Sequence, residues 1–105
     1  MEQARIILTT VSSKEEALRI ANALVEERLA ACVNIVDGVH SIYRWQGAVE
    51  SATEIQLIIK SRVEKLEALE MAIQRLHSYE VPEFLVLPVE SGSKPYLNWL
   101  YENLE

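Results

Sequence analysis

A long β-hairpin between residues 31 and 61 is the feature that most constrains how this chain can fold. Its first arm, Cys32–Trp45, is rich in Val, Ile and Tyr and is interrupted once, at Asp37-Gly38. Its second arm, Thr53–Lys60, alternates between apolar and more polar positions, and Gln46-Gly47 lies between the arms at a turn position. Apolar and β-branched runs separated by such turn residues are typical of two antiparallel strands.

The first arm is unusually long for a chain of 105 residues, because strands in globular proteins typically have about 5–6 residues. A hairpin of this length can extend beyond its own domain. The unpaired N–H and C=O groups along its edge would then pair with another chain unless they are covered. We therefore expect an oligomer in which the edge of the hairpin is sealed.

Composition limits the class of protein. Half of the residues are hydrophobic and a quarter are charged, so the chain can bury a real core and is not expected to be disordered. At this length, residues 1–105 are expected to form a single domain. The net charge of −6 and the scattered Lys and Arg residues argue against a nucleic-acid partner, which requires clustered basic residues.

The sequence also indicates a location. No stretch reaches the roughly 18 apolar residues of a membrane span, and the first residues, MEQARII, lack the charged start and apolar core of a signal peptide. Cys32 is the only cysteine, so an intrachain disulfide cannot form. We expect a cytoplasmic protein without a membrane partner.

The other segments predict two further strands and three helices. The strands are Arg5–Val11 and Phe84–Val89, and Pro88 places the second of them at a sheet edge because proline cannot donate to a strand ladder. The predicted helices are Lys14–Ala30, Val63–His77 and Pro95–Asn103.

Two serines predict where the first two helices begin. Ser13 with Glu16, and Ser61 with Glu64, have the spacing of a capping box, in which a serine hydroxyl accepts a hydrogen bond from the backbone N–H three residues later. Both pairs precede a run of apolar residues at helical spacing.

The order strand, helix, two strands, helix, strand, helix predicts an α+β fold. It is the ferredoxin-like split βαβ sandwich, βαββαβ plus a C-terminal helix. Right-handed crossovers place both long helices on one face of the sheet. The predicted strand order is 4-1-3-2, with the Phe84 strand and the Cys32 strand at the edges.

Five blocks of sequence resemble the CutA divalent-cation-tolerance family. They are Ala30–Ile35, Ser41–Gly47, Glu54–Lys60, His77–Glu83 and Tyr96–Leu100, and they follow one another in the family's order over nearly the whole chain. Five matched blocks are far more specific than a single short motif. Ser78 stands where the family pattern has a proline.

The resemblance implies a subunit that assembles as a compact homotrimer, with the long hairpins packed edge to edge between subunits. It also implies a role in tolerance of divalent metals, copper in particular, and in animals an association with acetylcholinesterase anchoring. The trimer is similar in shape to the PII signal proteins. We expect no required cofactor, and we expect copper or a related divalent ion as the ligand.

Three residues are candidate metal ligands. Cys32 would offer a thiolate, although its apolar neighbours favour a small buried hydrophobic residue. His77 would offer a neutral imidazole, or it is a helix C-terminal residue favoured by the helix dipole. Glu54 lies in a run that is otherwise buried, so its carboxylate requires a partner. It is either held by a salt bridge or a hydrogen bond, with Arg44 or Lys60 as candidates, or it is an oxygen ligand or an acid that lines a cleft between subunits. Without a CxxC or paired histidines, a metal site would be weak or shared between subunits.

The aromatic residues indicate a contact surface. Tyr43, Trp45 and Trp99 are candidate interface residues, because Tyr and Trp are enriched where proteins meet. A small-molecule pocket between subunits is the alternative interpretation of the aromatic residues near the hairpin.

The sequence carries no catalytic pattern. Three glycines in all argue against a Gly-rich phosphate loop, and there is neither an HExxH motif nor a Ser/His/Asp set in a suitable context. We predict a non-enzymatic trimer that binds copper or related divalent ions. The alternatives are a PII-like signalling trimer that binds a metabolite or a partner protein in its clefts, and a scaffold that holds other proteins.

Overall fold

Four strands form one antiparallel sheet in the computed structural model, which describes residues 2–105. The strand order is β2-β3-β1-β4, which is the predicted 4-1-3-2 order and confirms the ferredoxin-like fold. The elements are β1 (Ala4–Val11), α1 (Lys14–Glu26), β2 (Cys32–Trp45), β3 (Ala48–Arg62), a 3₁₀ turn (Val63–Lys65), α2 (Leu66–Leu76), β4 (Leu85–Pro88) and α3 (Lys94–Glu102).

The long hairpin is confirmed, and its second arm is longer than predicted. β2 and β3 pair from Cys32 opposite Lys60 to Trp45 opposite Ala48. At the tip, Gln46 and Gly47 both have positive φ, 51° and 84°. Two such residues make a two-residue turn whose twist matches that of the strands.

The predicted break at Asp37-Gly38 is a β-bulge. The pairing register shifts between Val36 and Val39, and Gly38 has a φ of 72°, which favours glycine. The one extra residue reverses the alternation of side chains along the rest of β2.

The two long helices cover one face of the sheet, as predicted. The buried core on this face joins both helices to β1 and β3 through Ile7, Ile20, Leu24, Leu57, Leu69 and Ile73. The opposite face is covered at one end, where Leu97, Leu100 and Leu104 of the C-terminal segment pack on Ala4 and Ala31. The distal half of the hairpin is left exposed on this second face.

The start of α1 was predicted correctly and its end was not. Ser13 Oγ accepts a hydrogen bond from the N–H of Glu16 at 3.1 Å. The helix ends at Glu26 rather than Ala30, because Arg28 takes a left-handed φ of 58° and the N–H groups of Leu29 and Ala30 both turn back to the carbonyl of Leu24. Such a reversal satisfies the last carbonyls of a helix.

The predicted cap of the second helix is wrong. Ser61 is fully buried within β3, and its hydroxyl donates to the carbonyl of Leu29 at 2.7 Å. The chain instead enters α2 through the 3₁₀ turn, whose cap Arg62 makes no side-chain capping bond. Within residues 2–105, no helix is both long and apolar enough to cross a bilayer.

Candidate functional site

A cleft of about 650 Å³ lies between the distal half of the hairpin and the segment 79–83. Four carboxylate side chains line it: Glu50, Glu54, Glu80 and Glu83. Three aromatic side chains also line it: Tyr43, Trp45 and Tyr79. The volume is within the range of about 300–1,000 Å³ that is typical of small-molecule sites.

Strand pairing places the hairpin side chains of this cleft. Tyr43 is opposite Glu50 and Val39 is opposite Glu54, and paired residues project to the same face of a sheet. Tyr43 and Trp45 share that face because they are two residues apart. They do so only because the bulge has already reversed the alternation along β2, since the residues of β2 on this face are even-numbered just before the bulge.

Tyr79 is held in the cleft by a chain of hydrogen bonds. The buried His77 has its Nε2 at 2.7 Å from the carbonyl oxygen of Thr10, so Nε2 carries the hydrogen. Its Nδ1 then accepts the backbone N–H of Tyr79 at 3.0 Å. The hydroxyl of Tyr79 donates to Glu54 Oε2 at 2.6 Å.

A second buried carboxylate secures the start of the same segment. Glu16 Oε2 accepts the backbone N–H of Ser78 at 2.8 Å, and Glu16 Oε1 accepts its hydroxyl at 3.0 Å. Burial would raise the pKa of Glu16, but these two bonds and a longer one from the Ser12 hydroxyl outweigh it, so the pKa lies below its ordinary value. A proline at position 78, as in the family pattern, could make neither bond because it has neither an N–H nor a hydroxyl.

The charge of the cleft is not compensated. Glu54 is only 8% exposed, and in the described part of the chain none of the ion pairs involves a carboxylate of the cleft. Burial, followed by the charge of Glu54, raises the pKa of Glu83. Burial and then the bond to Glu54 also raise the pKa of Tyr79, which keeps its hydroxyl protonated as a donor.

The predicted bases for Glu54 lie elsewhere. Arg44 contacts the carbonyl of Gly47 at 3.5 Å, and the ammonium of Lys60 lies 5.7 Å from the centre of the Tyr96 ring. The prediction of a salt bridge from Glu54 to either residue is therefore wrong. The hydrogen-bond partner of Glu54 is instead the neutral hydroxyl of Tyr79, which lies in the segment after α2.

The three predicted metal ligands do not meet within one chain. Glu54 and His77 are connected through Tyr79, but Cys32 is opposite Lys60, six residues along β3 from Glu54, or about 20 Å. Both ring nitrogens of His77 are occupied by hydrogen bonds. Residues 2–105 contain no group of three or more His, Cys, Asp or Glu side chains arranged for a metal. Metal binding by this set stays a prediction.

The three predicted interface residues are all partly exposed. Tyr43 and Trp45 are each 41% exposed and Trp99 is 43% exposed. Two of them line the cleft, whereas Trp99 lies on α3 beside Tyr96, with ring centres 5.5 Å apart. Their role between subunits stays a prediction.

Sequence reasoning missed the contribution of Glu80, Glu83 and Glu16. Glu80 and Glu83 belong to the block after α2 that resembles the CutA family, and this resemblance could have indicated that they matter. No local pattern indicates that this segment would fold over the hairpin, because the contacts that place it come from residues more than 20 positions away.

Comparison with known proteins gives the family. Residues 5–103 match the family described as "CutA1 divalent ion tolerance protein". The chain is 51% identical over 98 residues to the divalent-cation tolerance protein CutA of Thermus thermophilus, covering 93% of this chain and 95% of that protein. It is 46% identical over 95 residues to the chloroplastic protein CutA of Arabidopsis thaliana, covering 90% of this chain and about half, 52%, of that protein.

A solved structure agrees with the sequence comparison. The divalent cation tolerance protein Cut A1 of Thermus thermophilus matches with a TM-score of 0.95 and 49% identity, over 97% of this chain and 99% of that chain. The family match covers nearly the whole chain, and the strand order is the one that the order of strands and helices along the sequence predicted. The chain therefore belongs to the CutA1 divalent ion tolerance protein family.

Proposed function

We propose that the protein binds copper or related divalent ions as a non-enzymatic homotrimer. The observation that supports this most is Glu54, a carboxylate that is 8% exposed, faces the cleft and has a phenol as its hydrogen-bond partner. A buried charge without an opposite charge is costly, and a bound cation supplies the missing charge.

The donor chemistry of the cleft fits a divalent ion. Carboxylate oxygens suit hard divalent ions, and copper(II) has the highest affinity of the first-row divalent ions for a given site. An ion between Glu54 and Glu83 would also relieve the repulsion that contributes to the raised pKa of Glu83. Two carboxylates are an incomplete ligand set, so water or a second subunit supplies the rest.

The hairpin supports the trimer. Its distal half exposes large apolar residues, with Ile42 77% and Val49 65% exposed, and β2 is a sheet edge of 14 residues. Soluble monomers rarely leave a long apolar edge uncovered. The chain should sediment at about three times its mass of 12.0 kDa, and a monomer at micromolar concentration would contradict the trimer.

Metal titration tests the ligand. We expect copper(II) and manganese(II) to bind by calorimetry, with affinity reduced in Glu54→Gln and Glu83→Gln. Glu67→Gln is the matched control, because Glu67 is an exposed carboxylate on the outer face of α2. Binding that is equal in all four proteins would contradict the proposal.

The same titration decides the other predicted ligands. Cys32→Ser and His77→Ala should lower the stoichiometry or the affinity if a second subunit brings these residues to the ion. Unchanged values in both variants would remove Cys32 and His77 from the site and leave the glutamates.

The proposed location is the cytoplasm. The single cysteine, which is free and partly buried, suits a reducing compartment. The Arabidopsis relative is named chloroplastic, so relatives do not share one compartment by name. Fractionation of source cells should recover the protein with the cytoplasmic marker, and recovery with another fraction would contradict this location.

A further inference from the structure

The aromatic rings of the cleft are not ligands for a divalent metal ion, which prefers oxygen donors. Tyr43 and Trp45 lie two residues apart on one face of β2, and each is 41% exposed. Tyr79 faces them from the segment after α2. Because Tyr and Trp faces attract weakly hydrated cations, these rings require an explanation beyond the carboxylates.

The cleft is also larger than a metal ion requires. Divalent ions bind oxygen ligands at about 2.0–2.6 Å, so an ion uses only a small part of a space of about 650 Å³. The remaining space is bordered by the three aromatic side chains and by the apolar side chain of Val81, which is 68% exposed.

The charge of the cleft selects a cation rather than a neutral molecule. Among the described residues that line it, four are glutamates and none is Lys, Arg or His. Glu54 is more than nine-tenths buried and has no cationic partner within residues 2–105. An anion would be repelled, and a neutral apolar ligand would leave the buried charge uncompensated.

We infer that the cleft is a binding site for an organic ammonium ion with alkyl substituents on its nitrogen. The aromatic faces of Tyr43 and Trp45 contact the alkyl groups, and Glu54 with Glu83 balances the charge. A compact primary ammonium is more strongly hydrated and gains less from the rings. The inference shares its cleft with the proposed metal site, but it requires no metal, so either can fail alone.

Tryptophan fluorescence gives a direct measurement. The chain has two tryptophans, so Trp99→Phe leaves Trp45 as the only one. The intact protein in EDTA is titrated with tetramethylammonium chloride, with sodium chloride at equal ionic strength and with neopentyl alcohol as an uncharged analogue of similar shape. We expect a saturable change in Trp45 emission with tetramethylammonium alone.

Two variants test the part played by the rings. Tyr43→Leu keeps apolar bulk but removes a π face, and it should weaken tetramethylammonium binding roughly 2- to 30-fold, the range expected for one cation–π contact. Tyr96→Leu is the control, because Tyr96 is exposed to a similar extent, 43%, on α3 outside the cleft. Its affinity should equal that of the parent protein.

Three results would overturn the inference. The first is an equal response to neopentyl alcohol or sodium chloride, and the second is unchanged affinity in Tyr43→Leu. The third is the absence of saturable tetramethylammonium binding. If Tyr43→Leu and Trp45→Leu then also sediment with a smaller mass, these rings are subunit contacts. The metal titration is separate, since loss of divalent binding with retained ammonium binding would reject only the proposed function.

Discussion

The hydroxyl of Tyr79 lies 2.6 Å from Oε2 of Glu54 and joins two segments that are 25 residues apart. One partner is on the central hairpin and the other is in a segment without regular secondary structure after α2. The bond therefore fixes the position of the segment over the cleft, and it gives the buried carboxylate its hydrogen-bond donor.

Tyr79→Phe should lower the free energy of unfolding by about 1–3 kcal/mol, because a hydrogen bond to a buried charged group is lost. Urea unfolding at pH 7 measures the change. Tyr43→Phe is the control, since Tyr43 also lines the cleft without bonding Glu54. In a Glu54→Gln background the loss should be smaller, and an equal loss in both backgrounds would show that the hydroxyl acts elsewhere.

Divalent-ion binding should weaken on acidification at a higher pH than expected for an ordinary glutamate. The raised pKa of Glu83 means that this carboxyl takes up a proton above its usual value of 4.5, and a protonated carboxyl is a poor ligand. Calorimetry over a pH series checks this. In Glu83→Gln the weakening should move to lower pH, and an unchanged profile would contradict the role of Glu83.

Glu83 also makes the stability of the fold depend on pH, and in the opposite direction from most carboxylates. Because its pKa is raised in the folded protein, its contribution is fully present below about pH 4.5 and is lost as the pH rises through the folded value. Glu83→Gln should therefore be more stable than the parent at pH 7 and lose this advantage in acid. A variant that is less stable at pH 7 would contradict the prediction.

Glu16 should behave in the reverse manner. Its lowered pKa gives a contribution that is present above about pH 4.5 and is lost as the pH falls through the folded value. Glu16→Gln should be less stable than the parent at pH 7, and the difference should shrink in acid. Unfolding curves at both ends of this range measure it, and a difference that does not depend on pH would refute the ionised carboxylate.

Ser78→Ala should cost about 1 kcal/mol, because it removes the hydroxyl bond to Glu16 and keeps the backbone bond. Ser12→Ala is a suitable comparison, since its bond to the same carboxylate is longer, 3.3 Å. Thermal unfolding measures both. Equal effects would show that Ser78 contributes no more than a residue at the margin of the network.

Gly38→Ala should cost about 1–2 kcal/mol, because a side chain at a φ of 72° is strained although nothing lies within 4 Å of the added carbon. Gly38→Asn should cost less, since asparagine tolerates this conformation better. Urea unfolding of both variants checks the order. An equal cost for both would indicate that a contact, and not the backbone, sets the penalty.

The sheet could be predicted from the sequence because its signals are local. A few neighbouring residues are enough to indicate the conformation of the Val- and Ile-rich arms, of the Gln46-Gly47 turn and of the strand that ends at Pro88. The cap at Ser13 was recoverable for the same reason. The identical pattern at Ser61 gave a wrong prediction. β3 continues through Ser61, and the Ser61 hydroxyl donates to the carbonyl of Leu29 instead of capping a helix.

The cleft could be predicted only in part. The sequence indicated Glu54 because it is a charge in a buried run, and His77 because it lies at a helix end. Their connection through Tyr79 depends on how residues 77–83 fold back. That path is set by Glu16 and Thr10, which are more than 60 residues away. Spacing along the chain contains no information about such contacts.

The bulge in β2 gives one small residue control over a surface that it does not itself line. Were the two strands to pair without the bulge, Gly38 would lie opposite Glu54, and Ile42 and Arg44 would take the places of Tyr43 and Trp45 beside the glutamates. An acidic, aromatic hollow would become one that carries its own guanidinium counter-ion. The choice of guest therefore depends on where this strand accommodates its one unpaired residue.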